Sequence, residues 1–257
     1  MSSDARIPTN LRTLLILEVL GKSERPMTAT EINSQLGLPK QTVHRLCNML
    51  EGEGFLTRYG SSLKFQASRR LRNLGAGLLN HSHTHIMRHQ ILEEVAALVG
   101  ETVNFAVPGD GGMSYADRVE TDWAFRIQLP VGSHVPFHCT ASGKCFLASL
   151  PTKQRNAMLS TLPLEPKTEN TLIDRSKVIT ELDLVRRQGY ALDREEFIED
   201  MIAIAVPVKD RDNRFLAALA FHGPTQRISI EYAIDKLSIL QSGAQKITDA
   251  LFPENET

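Results

Sequence analysis

The chain has 257 residues, 42% of them hydrophobic and 23% charged, with only 16 glycines and 12 prolines; that composition is globular and excludes collagen-like or low-complexity chains. No apolar run approaches the roughly 20 residues of a membrane helix, and Met1-Ser-Ser-Asp-Ala-Arg6 lacks the apolar stretch of a secretory signal. Three cysteines (Cys47, Cys139, Cys145) show no metal or redox spacing, so the expectation is a cytoplasmic protein with reduced thiols, no cofactor and no membrane partner.

The formal net charge of −1 conceals an asymmetry. Residues 1–80 carry 11 Lys/Arg against 6 Asp/Glu, whereas residues 81–257 carry 18 against 24. Either the first third meets a polyanion or the split is ordinary scatter.

Asn10 is placed to cap a helix carrying Leu11, Leu14, Leu15, Leu17 and Val19, with Gly21 at its end. Thr28-Ala-Thr-Glu31 fits a capping box. It opens a short helix with Ile32 and Leu36 inward, stopped by Gly37. Pro39 suits the first turn of the next helix, over about 39–53, whose buried stripe is Val43, Leu46, Cys47 and Leu50. Two short helices joined through Gly37-Leu38 make a helix-turn-helix. The second exposes Lys40, Gln41, Thr42, His44, Arg45 and Asn48, residue types that suit base edges and phosphates. Segments 55–58 and 63–65 flank Tyr59-Gly-Ser-Ser62 as a hairpin, completing a winged helix. Gln41, His44 and Arg45 are the candidates for base reading. Lys40, Arg58, Lys64 and Arg69 are the candidates for phosphate contact.

A helix follows from Ser68, then His81, His85 and His89, which share a face on a continuous helix. Zinc, a pH sensor and a polar hinge are the three readings; no carboxylate or cysteine in the stretch completes a metal set, so the hinge is preferred. From Thr102 the period becomes two. Strands are expected at 102–108, 113–119, 125–129, 201–209 and 215–222, with helices at 140–150, 174–188 and 231–251. Strands in hairpins with helices between them imply an α+β domain with an antiparallel sheet.

Catalytic patterns fail. Gly143-Lys144 lacks the glycine at 138 and the hydroxyl at 145 of a phosphate loop, where His138 and Cys145 stand. Glu195 and Glu196 are adjacent and would point apart. Cys139, Ser142, Asp193 and His222 form the sort of scattered set that any chain of this length offers.

The segments Leu36-Gly-Leu-Pro-Lys-Gln-Thr-Val-His-Arg-Leu46, Glu51-Gly-Glu-Gly-Phe-Leu56, Pro136-Phe-His-Cys-Thr-Ala-Ser-Gly-Lys144, Gly189-Tyr-Ala-Leu-Asp-Arg-Glu-Glu196, Ala205-Val-Pro-Val208 and His222-Gly-Pro224 resemble, in order, those of IclR-family transcriptional regulators. The resemblance implies a winged helix-turn-helix over 1–67, a linker helix over 68–81 and a GAF-like effector-binding domain over 82–257. It further implies a homodimer or tetramer on a palindromic double-stranded operator, repressing or activating a catabolic operon in response to a small organic or aromatic acid. The effector positions carried over are Ala141, Ser142, Asp193, Ala203, Ala220 and His222. Three depart from the family's usual residues: Ala203 stands where cysteine is frequent, and Ala220 and His222 where serines are usual. Asp200 replaces a usual glycine. An effector-pairing His222 and a buried, satisfied His222 are both open at this point. The competing functions are an enzyme-like small-molecule domain with an appended winged helix, and a ligand-free architectural DNA binder.

Overall fold

In the computed structural model, which describes residues 7–23, 25–80, 83–124, 127 and 129–253, the chain divides into two compact units, Met1–Ser82 and His83–Thr257. The first begins with α1 (Thr9–Lys22). Its start corrects the expectation that Asn10 caps it: Asn10 lies within the helix, and the Pro8 carbonyl accepts from the N–H groups of Leu11 and Arg12. The helix also runs one residue beyond Gly21.

A two-residue strand, β1 (Met27–Thr28), precedes α2 (Ala29–Leu36) and is too short for any period-two signal. The capping box forms, with Thr28 Oγ1 accepting from the Glu31 N–H and Glu31 Oε2 from the Thr28 N–H. Gly37 ends α2 at φ +63°, a left-handed conformation in which a Cβ would be strained. Pro39 stands just before α3 (Lys40–Gly52), where its missing N–H removes no helical bond. Val43, Leu46, Cys47 and Leu50 are buried on one side of α3. The hairpin is β2 (Leu56–Arg58) with β3 (Lys64–Ala67), antiparallel, and β3 also pairs with β1. Ile16, Ile32, Val43, Cys47, Leu56 and Phe65 form the centre of this core. Next comes α4 (Arg69–Asn80).

The second unit starts with α5 (His83–Val99). The strands that follow are β4 (Thr102–Pro108), β5 (Gly112–Val119) and β6 (His134–Pro136). Helices α6 (Ala141–Ser149), α7 (Thr152–Thr161) and α8 (Arg175–Gln188) come next. The chain then forms β7 (Ala191–Arg194), β8 (Met201–Lys209), β9 (Phe215–Pro224), α9 (Ile230–Asp235) and α10 (Leu237–Leu251). One antiparallel sheet runs in the order β6-β5-β4-β9-β8-β7.

Two expectations need correction. The strand over 125–129 does not form at Ile127 or Leu129, because both carbonyls are taken by the Arg118 guanidinium; Phe125, Arg126 and Gln128 lie outside the described residues. The single terminal helix is two, α9 and α10, meeting at Lys236.

Alternation gives the sheet unlike faces. One presents Val103, Phe105, Ile202, Ile204, Val206, Leu219 and Phe221 to α5 and α10. The other presents Ala106, Ala191, Ala203, Ala205, Ala218 and Ala220 to the side of α6 and α8. Large side chains anchor the sheet on its first face. Methyl groups floor the second.

Candidate functional sites

The candidate nucleic-acid interface lies on α3. With the apolar stripe buried, Lys40, Gln41, His44, Arg45 and Asn48 are exposed and Thr42 is half-buried. The hairpin residues differ. Arg58 is committed within the protein: Nε and Nη2 donate to Glu51 at 2.9 and 3.0 Å, Nη2 also reaches Asn48 Oδ1 at 3.2 Å, and the guanidinium stacks 4.1 Å from the Phe65 ring centre. Half-buried Lys64 carries the hairpin's other cation, and Arg69 is exposed at the start of α4. Tyr59 and Leu63 lie bare at the hairpin turn, Leu63 at 76% exposure. Leu63 offers a phosphate no polar group, whereas the Tyr59 hydroxyl is a donor of the kind that meets phosphate oxygens; neither is among the residues expected from the sequence.

The candidate sensor site lies on the alanine face. Strand register places Asp193, Ala203, His222 and Thr102 side by side across β7, β8, β9 and β4. The next row on the same face is Ala191, Ala205, Ala220 and Asn104. The start of α6, with Ala141 and Ser142, packs over it. Thr140 caps α6 by accepting from the Gly143 N–H at 3.1 Å. Gly143 is obligatory here because a Cβ would sit 2.4 Å from the Phe137 carbonyl oxygen. All six effector positions proposed from the sequence thus belong to this one face and the helix end above it.

Partners on this face were not foreseen. Lys144 is wholly buried, and its Nζ donates to Glu196 Oε1 at 2.5 Å and Glu181 Oε1 at 3.2 Å. Asp193 Oδ1 accepts from the N–H groups of Glu196 (2.8 Å) and Phe197 (3.3 Å), while its Oδ2 and Glu196 Oε2 are buried without a hydrogen-bond partner. Burial pushes the Asp193 carboxyl up to about 7; Lys144 opposes that rise and Glu196 adds to it. Carboxylates therefore do converge here, as Asp193 and Glu196 around Lys144, and not as the adjacent Glu195 and Glu196.

His222 is also buried, with Nδ1 3.0 Å from Asn104 Nδ2 and Nε2 meeting no hydrogen-bond partner. Burial brings it down to about 4, the Arg118 cation adds to that, and the Ile127 carbonyl and Glu120 offset it only in part. Asn104 and Arg118 could have been suspected from the sequence as polar residues at inward positions of otherwise apolar strands. Nucleophilic chemistry finds little support: burial pushes the Cys139 and Cys145 thiols up to about 12.

Of the histidine stripe, His81 lies outside the described residues. His85 and His89 stack with ring centres 6.2 Å apart, and His89 Nδ1 lies 2.9 Å from Asp117 Oδ1. The carboxylate missing from the local sequence is thus Asp117, but Arg88 Nε already binds its Oδ2 at 3.0 Å. No group of three or more His, Cys, Asp or Glu able to hold a metal ion is found among the described residues.

The chain matches two family models, described as IclR helix-turn-helix domain over residues 11–60 and Bacterial transcriptional regulator IclR C-terminal over residues 77–249. It is 34% identical over 237 residues to the Cupriavidus necator protein named "Probable transcriptional regulator SauR", covering 92% of this chain and 94% of that one. Among solved structures it is similar to the IclR of Thermotoga maritima, at 25% identity, TM-score 0.63 and coverage of 96% and 99%. It is also similar to an IclR homolog of Microbacterium hydrocarbonoxydans complexed with 4-hydroxybenzoate, at 26% identity, TM-score 0.59 and coverage of 95% and 99%.

Proposed function

The chain belongs to the IclR family of ligand-responsive, DNA-binding transcriptional regulators, and from that premise we propose that α3 reads a palindromic operator while the alanine face of the sheet binds a small organic or aromatic acid. Gln41, His44 and Arg45 read base edges, and Lys40, Lys64 and Arg69 hold phosphates. The protein acts in the cytoplasm as a homodimer or tetramer, since a palindrome is matched by a two-fold protein. It controls a catabolic operon, and the helix that links the two units carries the signal. Binding of the acid shifts DNA affinity to the extent that the acid prefers one arrangement of the oligomer.

The observation that carries the effector reading is the row Asp193–Ala203–His222: two buried polar groups with unused hydrogen-bonding atoms on a methyl-lined floor. Unpaired buried polar atoms are costly, so a ligand that completes them gains affinity. The domain is a sensor and not an enzyme; thiols held protonated and a His222 Nδ1 already engaged by Asn104 support that reading. The 4-hydroxybenzoate complex of the Microbacterium homolog supports acids as the ligand class.

A thermal-shift screen of the full chain against small carboxylic acids, aliphatic and aromatic, tests it. A binding acid raises the melting temperature by mass action, and Asp193→Asn together with His222→Gln abolishes the rise. A rise that survives both substitutions places the ligand elsewhere.

A further inference from the structure

Arg118 is anchored on several sides. Nη2 donates to the Ile127 carbonyl at 2.7 Å, Nη1 to the Leu129 carbonyl at 2.6 Å, and Nε pairs with Glu120 at 3.1 Å. Nη1 also reaches Asn104 at 3.2 Å. A guanidinium only donates, so the Asn104 atom facing it is the carbonyl oxygen. The amide nitrogen of Asn104 then faces His222 Nδ1 at 3.0 Å. That nitrogen also only donates, so Nδ1 must be the bare, accepting nitrogen. A neutral imidazole has one proton, which is left on Nε2.

We propose that Arg118 and Asn104 are positioning residues that fix His222 as a neutral imidazole with its proton on Nε2, giving the sensor face one preset donor for an oxygen acceptor of the effector. The proposal rests on the reading of this face as the effector site for its last clause only. The charged groups bearing on His222 are Arg118 and Glu120, at the end of β5 and just after it. Its neighbours in register, Thr102 on β4 and Ala203 on β8, bring no charge. A cationic imidazole would set an Nδ1–H against the Asn104 N–H beside a guanidinium. The neutral form avoids both conflicts.

The consequence is selectivity. Nε2 is buried and meets no hydrogen-bond partner, the Ile127 carbonyl being the one backbone oxygen that bears on the ring, so a carbonyl, carboxylate or other anionic oxygen of a ligand placed against Nε2–H satisfies it. A ligand presenting an ammonium group there meets donor with donor. A site that needs a particular hydrogen-bond partner discriminates far more strongly than an apolar pocket does.

The relay is tested on the full, ligand-free chain by long-range 1H–15N correlation of its 15N-labelled histidine rings. The His222 signals are those absent from His222→Gln. The expected result at pH 7 is the pattern of a neutral ring protonated on Nε2, unchanged as the pH is lowered to 5. An Nδ1–H pattern, a fast average of the two tautomers, or titration near 6.5 overturns it. In Asn104→Asp, nearly isosteric, a carboxylate replaces the donor opposite Nδ1, and the proton is expected to appear on Nδ1. Retention of the Nε2–H pattern in folded Asn104→Asp overturns the relay. Because no ligand is added, failure of the acid screen refutes the effector reading alone, and failure here refutes the relay alone.

Discussion

His222 and Asp193 bind protons in opposite senses on folding. His222 sits at about 4 in the fold against an ordinary 6.5. Between those values the unfolded chain holds the extra proton, so stability falls as pH is lowered through this window. Asp193 sits at about 7 against 3.8. There the native state holds the extra proton, so stability falls as pH is raised from 3.8 to 7. The effect is worth about 3 kcal/mol for His222 and about 4 kcal/mol for Asp193, and between pH 5 and 6.5 their opposite pH slopes nearly cancel. Urea denaturation across that range should therefore show opposite slopes in the single variants. Asp193→Asn becomes more stable as pH rises, and His222→Gln less stable. Parallel slopes would mean that the two groups are not both held as described.

Asp200 shows how one residue departs from a family habit without breaking the backbone. It stands where a glycine is usual, at φ +58°. Aspartate tolerates this region better than most residues, and Thr225 fastens it, its N–H donating to the Asp200 carbonyl at 2.8 Å. Asp200→Val is expected to lower stability by about 1–2 kcal/mol through left-handed strain, whereas Asp200→Gly holds or raises it. Equal stability of the two variants in urea would show that the turn relaxes.

At the scale of elements, local chemistry decided which parts were readable beforehand. Thr28 with Glu31, Gly37, Thr140, Asp174 and Gly189 mark helix ends in the sequence, and all do so in the fold. Thr28→Ala is expected to cost about 1 kcal/mol, read as a lower denaturation midpoint of the first unit. No loss would mean that packing of Ala29 and Ile32 alone holds α2. The strands of β8 and β9 were legible because bulky and small residues alternate along them. Elements set by tertiary partners were not. β1 and β6 are too short for a period, and only Leu150 and Pro151 separate α6 from α7. The 125–129 segment looked extended by residue type, yet its carbonyls serve Arg118. A terminal run helical throughout by pattern breaks at Lys236, with no proline or glycine to announce it.

For the whole molecule, the six positions expected from the resemblance to meet an effector fall on one face and the helix end above it, but no local pattern pairs them with Asn104, Arg118 or Lys144. Those contacts join residues up to 118 positions apart, beyond any local pattern. The same limit affects the DNA face. Arg58 and Lys64 look equivalent in sequence, while the fold gives Arg58 to Glu51 and Asn48. On operator DNA, Lys64→Ala should lower the slope of log affinity against log salt by about one phosphate's worth. Arg58→Ala should lower the melting temperature and leave that slope alone. Equal slope changes would return Arg58 to the phosphate set.

The central claim is that occupancy of the Asp193–His222 face governs binding through α3. The most direct test is the operator affinity of the full chain, at fixed salt, with and without the acid that raises its melting temperature. The account predicts a change of at least about fivefold, the lower end of ordinary allosteric coupling, lost in His222→Gln while that variant still binds DNA. An acid that binds this face and leaves the affinity for DNA unchanged would contradict it.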